Sequence, residues 1–186
     1  MTVESALKDA EHKMKRAVEV TRDEFSSVRT GRATPAILNR LTVEYYGSAT
    51  PMNQLASFSV PEPRLLVIQP FDRNAMSAME KAIMQSDLGL TPSNDGNVIR
   101  LAFPPLTEER RKELIRIVHE RAEEGRVSVR NVRRHIKEQL EQLKKDGEIS
   151  EDDLHRSEKE LQRLTDTYVS QIEEVLGHKE QELMEV

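Results

Sequence analysis

The chain has 186 residues, 33% of them charged and 37% apolar, with a formal net charge of −5. That length fits one domain or two small ones, and so high a charge suits long solvated helices over one large core. It contains no cysteine, which excludes a disulfide framework and a thiolate metal site, and no apolar run nears the ~20 residues of a bilayer-spanning helix. Met1 to Ala10 carries Glu4 and Asp9 and no apolar centre. That is neither a secretory signal nor an acid-poor import leader, and a cytoplasmic protein is expected.

In the first segment, apolar or small residues recur at Val3, Leu7, Ala10, Met14, Ala17, Thr21, Phe25 and Val28. Steps of three and four predict an amphipathic helix with one buried stripe. All eight prolines then fall between Pro35 and Pro105, with five of the seven aromatics. Proline costs ~3 kcal/mol in a helix interior, so this stretch interrupts the helical pattern. Within it, strands are predicted at Leu41–Tyr46, Arg64–Gln69 and Val98–Ala102, with a short edge strand at Phe58–Val60. Asn74 to Gln85, apolar at Met76, Met79 and Ile83, reads as a helix. A second long helix is expected from the N-cap Thr107 to about Lys145, with its stripe at Leu114, Val118, Ala122, Val129, Val132, Ile136, Leu140 and Leu143. Asp146-Gly147 is a turn signal. Ser150 then caps a third helix striped by Leu154, Leu161, Leu164, Tyr168, Ile172, Val175 and Leu183.

The fold class expected is α+β. Residues 1–30 and 106–186 form an elongated, discontinuous antiparallel three-helix bundle, and residues 31–105 an inserted small β/α/β domain. A helix from 107 to 145 is roughly 58 Å long, whereas a globule of this chain length has a radius of gyration of only about 16 Å. The chain crosses between the two parts near Thr30-Gly31 and Pro104-Pro105, as a hinge or as a fixed elbow. A bundle closed on itself implies a monomer.

The charge is unevenly spread. Residues 106–145 hold twelve basic and eight acidic side chains, net +4, while residues 146–186 hold four and thirteen, net −9. From Arg126 to Lys137 there are five Lys/Arg and no acid. Arg126, Arg130, Arg133 and Lys137 recur at steps of four, three and four, along one helix face, with Arg134 beside them. Arg110 and Arg111 stand earlier on the same helix. Guanidinium forks suit phosphates. Two readings compete: an RNA-facing ridge, or a solvated face whose cations pair with the acidic third helix. The unbroken run of cations favours the first. Five neutralised phosphates would give a log–log salt slope of about −4. Enzyme signals are poor. No glycine-rich phosphate loop, nucleophile elbow or metal-ligand spacing occurs, and a hydrolase reading would rest on Glu80 and neighbouring residues. No metal or cofactor is expected.

A series of motifs carries a resemblance. They are Arg29-Thr30-Gly31-Arg32-Ala33, Val43-Glu44-Tyr45-Tyr46-Gly47, Phe71-Asp72-Arg73, Glu80-Lys81-Ala82-Ile83, Ser86-Asp87-Leu88-Gly89-Leu90, Pro104 to Arg111, and Arg130-Asn131-Val132-Arg133-Arg134. In this order and spacing the chain resembles the bacterial ribosome recycling factors along essentially its whole length. The resemblance implies an L-shaped, two-domain translation factor that catalyses no bond change. It implies binding to the large ribosomal subunit across the aminoacyl and peptidyl sites after termination. Elongation factor G, hydrolysing GTP, would then help split the subunits, and initiation factor three would keep them apart. Arg130 and Arg133 would contact large-subunit RNA, with Arg29 and Arg32 near it. Thr30, Gly31, Pro104 and Pro105 would form the hinge.

Overall fold

The computed structural model describes residues 2–185. It is α+β and mostly helical, and the chain falls into two compact units. One is drawn from the residues up to Arg29 and from Glu108 to Glu185, the other from Thr30 to Thr107.

The first unit holds three long helices: α1 (Val3–Ser27), α3 (Glu108–Lys145) and α4 (Glu151–Met184). Thr2 and Ser5 form a reciprocal capping box that starts α1, and Ser150 and Asp153 do the same for α4. Such caps satisfy amides that a helix start leaves orphaned, each worth about 1 kcal/mol. Between α3 and α4 the Glu148 amide donates to the Leu143 carbonyl and the Gly147 amide to that of Lys144. With Gly147 at φ 71°, this is a Schellman ending that reverses the chain. Contacts at Lys144–Glu151, Lys137–Glu158 and Arg126–Glu173 run in opposite directions along the two helices, so α3 and α4 are antiparallel.

The buried stripes are Ala6, Ala10, Met14, Val18, Thr21 and Phe25 on α1, and Leu114, Val118, Ala122, Gly125, Val129, Ile136, Leu140 and Leu143 on α3. On α4 they are Ser157, Leu161, Leu164, Thr165, Tyr168, Ile172, Leu176 and Leu183. The sequence stripes are rotated slightly from these. Leu7, Ala17, Val132 and Val175 are half-buried, while Ala6, Val18, Gly125 and Leu176 occupy the seam. An apolar residue beside the stripe fits the pattern equally well until a partner helix fixes the facing side. Gly125 is in the seam because there is no room for more. A Cβ there would lie 2.3 Å from Thr21 Oγ1 and 3.2 Å from Ile172 Cδ1, so one missing methyl lets three helices meet.

The second unit contains six strands and one helix: β1 (Thr42–Tyr45), β2 (Ser48–Pro51), β3 (Ala56–Glu62), β4 (Leu65–Pro70), α2 (Met76–Gln85), β5 (Pro92–Asn94) and β6 (Ile99–Ala102). β1 and β2 form a hairpin sheet; the other strands form an antiparallel sheet in the order β3-β4-β6-β5. Pro61 and Pro92 lie in β3 and β5, the two edge strands, where a missing amide breaks no ladder. On β4 and β6, Leu66, Ile68, Ile99 and Leu101 point inward with period two and join Val43, Met52, Met79 and Ile83 in a closed core. β2 and β5 were not expected from the sequence. Ser48-Ala49-Thr50-Pro51 and Pro92-Ser93-Asn94 are short, polar and proline-bearing, and pairing alone makes them strands.

Candidate RNA-binding face

On α3, a helical advance of about 100° per residue places Arg126, Arg130, Arg133 and Lys137 within about 60° of one another. They flank the buried row of Val129, Ile136 and Leu140 on the side that meets α4. The structure therefore brings the expected ridge together, and it also divides it.

Arg126 and Lys137 turn toward acids. Arg126 Nε donates to Glu123 at 2.7 Å, one of its terminal nitrogens is bonded to Glu173 of α4, and its side chain is only 15% exposed. Burial opposes the charge of Arg126, but the hydrogen bonds it donates to the two carboxylates outweigh that and raise its pKa further. Lys137 lies 3.6 Å from Glu158 of α4 and 3.8 Å from Glu141. The acid-free run from Arg126 to Lys137 is thus acid-free only along the chain. In space it is flanked by Glu123, one turn earlier, and by Glu158 and Glu173 on the neighbouring helix.

Arg130, Arg133 and Arg134 make up the remainder. Arg130 is exposed and 3.3 Å from Glu123. Arg133 is half-buried; it donates to the neutral amide oxygen of Gln162 on α4 at 3.0 Å, and its Nε is buried with no partner. Arg134 is exposed and reaches Asn131. Among the described residues neither Arg133 nor Arg134 is paired with a carboxylate. A guanidinium drawn partly out of water without a counter-charge is poised to accept an anion.

The other expected cations are more dispersed. Arg110 pairs with Glu113 at 2.6 Å, in a stretch of α3 where Lys112–Glu108 and Arg116–Glu120 pair likewise. Arg111 is half-buried at the start of that helix, and Arg29 and Arg32 are exposed in the segment after α1. Gly31, between them, has φ 75°. The segments by which the chain enters and leaves the second unit are tied to one hairpin tip: Ala33 N donates to the Pro63 carbonyl and Phe103 N to that of Arg64, both at 2.8 Å.

Sequence reasoning overlooked Glu123. Its carboxylate bridges Arg126 and Arg130 through separate oxygens. The hydrogen bond from Arg126, helped by the charges of Arg126 and Arg130, holds it below the ordinary range against some desolvation. The signal was available, since three and seven residues are helix-face spacings. Gln162, Glu158 and Glu173 had no such signal, because they meet the ridge only once the antiparallel register of α4 is set.

Two of the matching motifs also converge within the second unit. Tyr46, at φ 48°, and Gly47 turn β1 into β2. The Tyr45 hydroxyl donates to Asp72 at 2.8 Å, the Tyr46 hydroxyl reaches the same oxygen at 3.4 Å, and the two rings meet edge to face at 4.5 Å. Phe71 beside them is largely exposed. Glu80 forms no hydrogen bond or ion pair among the described residues, where no group of three His, Asp or Glu side chains could hold a metal ion. No helix among these residues is long and apolar enough to cross a membrane.

A helical unit drawn from two segments of the chain, a small antiparallel unit inserted between them, and a cationic face along α3 make up the architecture. Comparison with known proteins names its kind. The family model for the ribosome recycling factor matches residues 21–184. The ribosome-recycling factor of Thermobifida fusca is 58% identical over 184 residues, which cover 99% of this chain and all of that one. That of Shouchella clausii is 57% identical over 178 residues, 96% of each chain. A solution structure of the ribosome recycling factor superposes with a TM-score of 0.78 at 48% identity, covering all of this chain and 99% of the other. Models of the T. thermophilus ribosome recycling factor and the E. coli elongation factor G bound to the E. coli post-termination complex give a TM-score of 0.67 at 46% identity, covering 98% and 99%. The chain belongs to the ribosome recycling factor family.

Proposed function

We propose that this chain recycles ribosomes after termination. It binds the large subunit across the aminoacyl and peptidyl sites and, with elongation factor G hydrolysing GTP, splits the post-termination complex. It acts in the cytoplasm as a monomer, catalyses no bond change, needs no cofactor, and hands the separated subunits to initiation factor three. Family membership supports this reading, as does the likeness to a relative described together with elongation factor G on a post-termination complex.

The RNA-binding face in this reading is the outward side of α3. Arg130, Arg133 and Arg134 take phosphates of large-subunit RNA, and Arg29 and Arg32 extend the contact. Arg126 and Lys137 frame the face more than they bind, and Arg110 and Arg111 contribute least, Arg110 being held within its own helix. The observation that carries this is Arg133, half-buried against Gln162 with no carboxylate beside it. Such contacts position a protein on folded RNA without reading sequence. The share of the log–log salt slope owed to α3 is then that of three phosphates, between about −2 and −3, with Arg29 and Arg32 adding to it.

Co-sedimentation with isolated large subunits across a salt series tests it. Wild type should bind with a slope at least that steep, and Arg133→Ala should bind at least tenfold more weakly with its fold intact, since an exposed or half-exposed arginine adds little to stability. No wild-type binding at low salt would return a second reading to first place. In that reading the chain is a helical scaffold whose ridge only packs on acids, and the Arg126–Glu173 and Lys137–Glu158 pairs are what favour it.

Thr30, Gly31, Pro104 and Pro105 serve as the hinge in this proposal. Gly31→Val should slow subunit splitting more than it weakens subunit binding; equal binding and equal splitting would remove Gly31 from that role.

A further inference from the structure

The ridge is built with its own competitors, and Glu123 is the centre of them. One carboxylate oxygen takes Arg126 Nε at 2.7 Å and the other takes Arg130 Nη1 at 3.3 Å. Arg126 is tied on its far side to Glu173. Around the helix Glu123 falls between Arg130 and Arg134, about 20° from each, roughly two and three turns toward the N-terminus. Glu123 and Glu173 are both about half exposed, whereas Arg126 between them is nearly covered. The charge-assisted bonds keep Glu123 ionised well below neutral pH.

We propose that Glu123, supported by Glu173, is a specificity-determining residue for RNA binding: it fences the cationic face so that a folded, fixed phosphate array is accepted and a flexible strand is rejected. This rests on the reading of α3 as the RNA-binding face. A cation already neutralised by a fixed carboxylate has no counterion left to release, so Arg126 adds nothing to the ion-release drive that makes non-specific binding strong. A phosphate approaching Arg130 must stay clear of Glu123 or displace it. A rigid RNA surface can place its phosphates on Arg130, Arg133 and Arg134 alone. A flexible strand settles wherever charge is densest and meets the carboxylate. Like charge placed against wrong partners yields discrimination at a cost in raw affinity.

The test measures wild type, Glu123→Gln and Glu173→Gln, each with its melting curve, against a poly-uridine oligonucleotide and against isolated large ribosomal subunits in a salt series. For Glu123→Gln the oligonucleotide should bind about fivefold tighter or more at low salt. Its log–log slope should steepen by about 0.7, the value of one further phosphate on a single strand. Subunit binding should change by less than about twofold, so the preference for the subunit falls. Glu173→Gln should shift both readouts in the same direction and by less, because Arg126 keeps Glu123. A role confined to holding the bundle together would move the melting curve and leave the slope unchanged. If wild type binds subunits with the expected slope and Glu123→Gln changes neither the oligonucleotide slope nor the preference, the fence is wrong and the RNA face stands. If wild type binds no subunits, both fall together.

Discussion

The two units hold themselves together by different means. In the helical unit, order comes from repetition: three stripes of small and branched residues, capped ends, and ion pairs along the surfaces. The single left-handed residue described there is Gly147, at the α3–α4 turn. In the inserted unit, order comes from corners. Gly31, Tyr46, Gly47, Gly89 and Gly96 all have positive φ within residues 30–107, and the longest strand has seven residues. A helix spreads its stability over many equivalent contacts, while a small sheet concentrates it at the few turns that set its register. Substitutions of one chemical kind should therefore do different things in the two units, and glycine provides the comparison.

The largest effect is expected at Gly125, and for a reason unrelated to backbone freedom. It lies within regular helix, and a Cβ would collide with Thr21 Oγ1, whose hydroxyl already donates to the Ala17 carbonyl at 2.9 Å. Gly125→Val must push α1 and α4 away from α3. Overpacking of this kind costs about 1–3 kcal/mol and sometimes more, and the top of that range is expected where three helices meet. Urea unfolding followed by helical circular dichroism measures it. A loss below 1 kcal/mol would mean the seam yields easily, and would break the picture of a bundle set by close approach.

Gly125 also shows what the sequence could and could not convey. The three helices were legible because their apolar spacing persists over dozens of residues, and the prolines delimited the insert. The close packing was not legible: a glycine in mid-helix looks like a weak point until Thr21 and Ile172 arrive from other helices. The same holds at the cationic face. The sequence offers pairing with the acidic third helix as one reading of the run Arg126 to Lys137, but not which cations pair, because carboxylates at 158 and 173 are remote along the chain. Only the antiparallel register of α3 and α4 sets Arg126 and Lys137 against carboxylates and leaves Arg133 and Arg134 without one. The strands β2 and β5 escaped for a related reason, since neither has an apolar pattern of its own and each is defined by the strand it pairs with.

The smaller effects set one substitution against itself in the two units. Gly47→Ala places a side chain at φ 76° in the β1–β2 turn, with nothing within 4 Å to obstruct it. The whole penalty is then conformational, about 1 kcal/mol or somewhat more for a left-handed residue that is not glycine. Tyr46 next to it already bears such strain, so the turn has little freedom to rearrange. Gly177→Ala should do the reverse. It lies inside α4, exposed, with open space where its Cβ would stand and an ordinary helical backbone. Alanine there removes unfolded-chain entropy and should stabilise the protein by about 0.8 kcal/mol, which for a chain of this size raises the melting temperature by roughly 2–3 °C. Opposite signs for two glycines with equally empty surroundings would locate the difference between the units in backbone geometry instead of packing. Equal signs would mean that the turn at Tyr46-Gly47 can relax, and that the corners of the insert are less decisive than its core of Leu66, Ile68, Ile99 and Leu101.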